Sequence, residues 1–75
     1  MTRKETAEVI AKLMKIYELD ESRIDGVVDI WSKVFEDTEY WRVDRAVDRY
    51  IAQDIREYPR FPNPGVINAL LPTGW

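Results

Sequence analysis

The chain has 75 residues, 45% of them apolar and one third charged, with a formal net charge of −3 and neither cysteine nor histidine. A chain of this length buries only about 60% of the surface its unfolded form exposes, so there is room for a single core, while the apolar and charged shares are those of a folded protein. Disulfide and His/Cys metal staples are excluded, and with them most nucleophile–base catalytic sets.

The first helix is expected over residues 2–19. Thr6, Val9, Ile10, Leu13, Met14, Ile16 and Tyr17 follow helical spacing, with Lys4, Glu8, Lys12 and Lys15 on the opposite face. Thr2 followed three residues later by Glu5 matches a capping box, in which each side chain satisfies a backbone N–H of the other residue. The acidic stretch Glu18 to Glu21 breaks the pattern. Ser22 then reads as the N-cap of a second helix over residues 22–36, with Asp25 at its positive end and Ile24, Val27, Val28, Trp31, Val34 and Phe35 facing inward. Gly26 admits two readings there: the close approach of another helix, or plain tolerance of glycine near a helix start.

Asp37 or Thr38 is expected to cap a third helix over residues 38–55, whose inner stripe is Tyr40, Val43, Ala46, Val47, Tyr50 and Ile51. Tyr58 to Gly65 holds three prolines within six positions, the mark of a stiff extended connector. Asn63 as cap and Pro64 at the first helical position open a fourth, short helix over residues 63–71, with Val66, Ile67, Leu70 and Leu71 on one face and Pro72 ending it. The expectation is a single all-α domain over residues 1–75, a small four-helix bundle in which three longer amphipathic helices precede the proline-rich connector.

Three Trp, four Tyr and two Phe supply large side chains for tight packing or for self-association as a homodimer, the two routes to stability left to a small chain without staples. No apolar run approaches the roughly 20 residues that span a bilayer, and the polar start Met1 to Glu5 has no signal-peptide pattern, so a soluble intracellular protein is expected. No catalytic residue, cofactor site or metal site is expected. Asp20, Glu21, Asp25 and Asp29 do not form a calcium loop and read as capping and solubilising groups.

The charged feature that stands out is Arg42, Arg45 and Arg49, which at 100° per residue fall within roughly 60° of arc opposite the apolar stripe of the third helix. With Arg56 and Arg60 in the connector, five arginines are candidates to line one side and to contact phosphate or an acidic partner. The competing reading is a solvated face, in which Glu39 pairs with Arg42 and Asp48 with Arg45 at three-residue spacing and cancels much of the stripe. Net acidity also weighs against DNA as the partner. Trp41 flanks the arginines, either as an exposed anchor for a partner or as a ring packed under the connector. Trp75 has no readable role.

The run from Val27 to Ile51, followed by Arg60-Phe-Pro-Asn-Pro-Gly-Val-Ile, resembles the phage replicative helicase loader and inhibitor family. The resemblance is carried by Trp31, Asp37, Tyr40, Ala46, Val47, Tyr50, Ile51, Phe61, Pro62, Pro64 and Ile67 and extends from Ala7 to Leu70. It implies a compact helical N-terminal domain joined to a flexible C-terminal segment, which engages the replicative helicase together with phage origin proteins. A helicase or its loader is accordingly the expected protein partner. As the sequence given stops at Trp75, contact is expected on the folded surface.

Overall fold

The computed structural model describes residues 1–56 and 60–72. Helix α1 spans Arg3–Met14, α2 spans Ile24–Val34, α3 spans Tyr40–Gln53 and α4 spans Pro64–Ala69, and a 3-10 turn over Glu21–Arg23 leads into α2. There is no strand among the described residues. The connector residues Tyr58 and Pro59, and Trp75, lie outside them.

The capping box at Thr2 and Glu5 is formed in full, with Glu5 N–H donating to Thr2 Oγ1 at 3.1 Å and Thr2 N–H to Glu5 Oε1 at 2.8 Å. Helix α1 ends five residues short of the expected Leu19. Continuing it would have laid Glu18, Asp20 and Glu21 against the negative end of the helix dipole, an unfavourable placement for carboxylates. Asp20 instead becomes a cap: its Oδ1 accepts from Ser22 N–H at 3.0 Å, so Ser22 is the capped residue and not the cap. Because the helix has ended, Ile16 no longer follows its wheel and is exposed, as is Met14.

At the next boundary neither Asp37 nor Thr38 caps α3. The Thr38 N–H donates to Phe35 O at 3.0 Å and closes the end of α2, while Glu39 holds the N-cap position without a side-chain bond. The Met1 ammonium also donates to carbonyls of this turn, Phe35 O at 3.0 Å and Thr38 O at 2.6 Å, which ties the start of α1 to the junction of α2 and α3. Asn63 and Pro64 open α4 as expected, with Asn63 Oδ1 accepting from Gly65 N–H at 2.8 Å. A Cβ built on Gly26 meets nothing within 4 Å among the described residues, so none of the described helices approaches there and the tolerance reading of this glycine holds.

Helix α1 packs on both α2 and α3, and α4 packs on α3. The core is one cluster in which Val9, Ile10, Leu13 and Tyr17 meet Val28, Trp31 and Phe35 from the α2 segment, Val43, Ala46 and Val47 from α3, and Ile67 from α4. Thr6 is buried among them, its hydroxyl donating to Thr2 O at 2.9 Å, which satisfies the polar atom. Val34 and Val66, expected to face inward, are exposed.

Candidate protein-binding surface

The six residues singled out from the sequence lie on α3, just beyond its end and in the connector. Arg42, Arg45, Arg49 and Trp41 share the outer side of α3. Arg56 lies beyond its end, where its guanidinium is held by Asp54 (Nε to Oδ1 3.0 Å, Nη2 to Oδ2 3.1 Å), by the Tyr50 hydroxyl and by Arg60 O at 3.1 Å. It braces the start of the connector against α3. The same contact holds the Asp54 carboxyl down at about 2, chiefly through its hydrogen bond to Arg56. Tyr17, 3% exposed, meets Tyr50 with ring centroids 5.7 Å apart, and burial with the nearby Asp54 carboxylate pushes its phenol up to about 12. Arg60 lines a cleft of about 720 Å³ between the connector and α2, whose walls include Arg23, Val27, Ile30, Trp31 and Phe61.

The neutralising pairs expected along α3 are absent. Asp48 turns to the α1 side, where Lys12 Nζ reaches Asp44 at 2.8 Å and Asp48 at 2.5 Å. Glu39 accepts from the Trp41 indole N–H at 2.6 Å. Arg42 Nη2 donates to Pro72 O at 3.0 Å and Arg49 Nη1 to Leu70 O at 3.3 Å, so two guanidinium groups sit at the carbonyl end of α4, where its dipole favours positive charge. Arg42 is half-buried and its Nε has no partner among the described residues. The sequence could not pair these arginines with Leu70 and Pro72, because the contacts depend on how α4 lies across α3.

Trp41 is 46% exposed, with the Arg45 guanidinium 5.6 Å from its ring centroid. The ring packed beneath the connector is Trp31, against which Phe61 sits edge-on at 6.0 Å. Of the two readings of Trp41, the packed one is thus removed. A cation over the face of an exposed ring is attracted by the ring quadrupole, by about 0.5–1 kcal/mol at such a site.

The family model for the N-terminal domain of the phage helicase loader/inhibitor matches residues 1–64. The chain belongs to this family. The match takes in α1, α2, α3, the connector and the first residue of α4. Within it Trp31, Ala46 and Val47 are core, Tyr40, Tyr50, Ile51 and Phe61 pack against the core, and Pro62 is buried. The residues that carry the sequence resemblance are mainly those that build the fold, and neither Trp41 nor Arg45 is one of them. No curated protein and no solved structure matches the chain.

Proposed function

We propose that this domain is a non-catalytic accessory factor of phage or prophage DNA replication, which binds a replicative helicase or the protein that loads it in the cytoplasm of the bacterial host. Membership of the helicase loader/inhibitor family supports the helicase as partner. The observation that carries a protein-binding role is the uncovered Trp41 with Arg45 stacked on it, since Trp and Arg are the residues that most often dominate the energy of protein interfaces. Support for the absence of catalysis is chemical: the sequence has no histidine or cysteine to act as base or nucleophile. No helix among the described residues is long and apolar enough to cross a membrane.

The test is to mix the purified domain with the replicative helicase of the same phage or host, following complex formation by calorimetry and helicase ATPase activity in parallel. A dissociation constant of about 10 µM or tighter, with a change in ATPase rate, is the expected result. No complex at helicase concentrations of about 100 µM refutes the reading.

A further inference from the structure

Helix α3 sorts its charges by side. Its two carboxylates on the α1 side, Asp44 and Asp48, both go to Lys12. Its three arginines lie toward α4 and solvent, and no carboxylate among the described residues comes within ion-pair distance of them. The carbonyl oxygens that Arg42 and Arg49 touch accept hydrogen bonds without carrying a net charge, so these contacts leave the positive charge of the stripe in place. A guanidinium offers five N–H donors, and one hydrogen bond leaves most of them to a ligand. In a chain of net charge −3 this side of α3 is a positive patch that no carboxylate of the described residues pairs with. Trp41 closes one end of it, and the distance along the helix from Trp41 to Arg49 is about 12 Å.

We propose that Trp41, Arg45 and Arg49 are the docking site for an acidic amphipathic helix of the protein partner, which presents two carboxylates one helical turn apart and an apolar side chain beside them. The inference rests on the protein-binding role proposed above. Arg45 and Arg49 are themselves one turn apart, about 6 Å, so carboxylates at i and i+4 of a facing helix meet both, and a guanidinium takes a carboxylate through two parallel hydrogen bonds. Trp41 then receives the apolar side chain. DNA fits this surface less well. Glu36, Asp37 and Glu39 fall within the five residues that precede the tryptophan, and Glu39 accepts from its indole N–H. A short segment with carboxylates only over the arginines avoids that acidic edge, whereas a phosphate backbone continues across it. Three arginines would also release too few counterions for appreciable affinity at physiological salt.

Two experiments on the whole 75-residue chain decide the matter. In the first, a synthetic helical peptide carrying Glu at i and i+4 and Leu one turn on is titrated into the isotopically labelled protein, beside the same peptide with Gln for Glu and a 12-base-pair duplex. Expected are shifts centred on the Trp41 indole and the Arg45 and Arg49 signals, an affinity about tenfold lower for the Gln peptide, and loss of the shifts in Arg45→Ala. Equal binding of both peptides, duplex bound as tightly as the Glu peptide, or shifts elsewhere would overturn the proposal. In the second, Arg45→Glu is compared with the unsubstituted protein in helicase binding, after a melting curve shows the variant folded. About a hundredfold loss is expected. Helicase bound equally by both proteins sinks the docking site and leaves the helicase reading intact. Helicase bound by neither, with the peptide result as expected, sinks the helicase reading and leaves the docking site standing.

Discussion

Replacing Ile67 by alanine should separate what holds α4 in place. Six residues are well below the roughly 12–15 that an isolated helix needs in water, so α4 exists because it is docked. Its anchors are the Ile67 side chain, 0% exposed, the half-buried Leu70 and Leu71, and the hydrogen bonds from Arg49 to Leu70 O and from Arg42 to Pro72 O. Truncating a buried isoleucine to alanine costs about 2–5 kcal/mol, from lost transfer energy and the cavity left behind. Each partly exposed hydrogen bond contributes about 0.5–1.5 kcal/mol. At the middle of these ranges the apolar anchor, about 3.5 kcal/mol, outweighs the two hydrogen bonds together, about 2 kcal/mol. A chain this size has a total stability of about 4–11 kcal/mol, so Ile67→Ala should leave a folded but weakened protein, with amide exchange in α4 sped up far more than in α3 around Val43 and Val47. Denaturant unfolding combined with hydrogen exchange measures both quantities. A loss under about 1 kcal/mol with α4 still protected, or a larger loss in Arg42→Ala/Arg49→Ala than in Ile67→Ala, would refute the reasoning.

Three further outcomes are expected. Gly26→Ala should raise stability by up to about 1 kcal/mol, because the added methyl meets nothing and the unfolded chain loses freedom, and a lower melting temperature would mean that another surface closes on α2. Thr2→Ala should cost about 1 kcal/mol through loss of the capping box, with the deficit seen as faster amide exchange in the first turn of α1. The Tyr17 phenol, raised from 10 to about 12, contributes stability that is complete below pH 10 and lost as the pH climbs towards 12; Lys12, whose pKa is also raised, chiefly by its hydrogen bond to Asp44, adds to this alkaline loss. Tyr17→Phe should flatten the stability curve over that window in alkaline melts, and an unchanged slope would remove Tyr17 as its cause.

The parts of the fold that were legible in the sequence are those set by neighbours three or four positions away. The capping box at Thr2 and Glu5, the Asn63–Pro64 start of α4 and the inner positions Val43, Ala46 and Val47 are fixed by one turn of helix and are found as expected. Boundaries set by competition between neighbouring caps are not legible in this way. Asp20 and Ser22 are both good caps, and the decision between them lay in whether α1 ran on to Leu19, which the dipole at its acidic end opposed. Trp31 reads as an inward position of the second helix, but Trp41 reads equally as an exposed anchor or as a ring under the connector, and only the path of Phe61 shows that the covered ring is Trp31.

The candidate site marks the same limit more sharply. A helical wheel places Asp48 within reach of Arg45 and equally near the flank that faces another helix, so spacing along α3 alone cannot say which cation it takes. Lys12 decides the outcome from 36 residues away in sequence, as α1 brings an ammonium between Asp44 and Asp48 and draws both carboxylates from the arginine side. The positive charge of the stripe is thus a consequence of the packing of α1 on α3, and Lys12→Met tests that dependence. With the ammonium removed, Asp48 is released to pair with Arg45 three residues back, and the affinity for an acidic helix should fall although no residue of the docking surface has changed. If affinity for the Glu peptide is instead unaltered in a folded Lys12→Met protein, the carboxylates do not compete for the stripe and its charge owes nothing to α1.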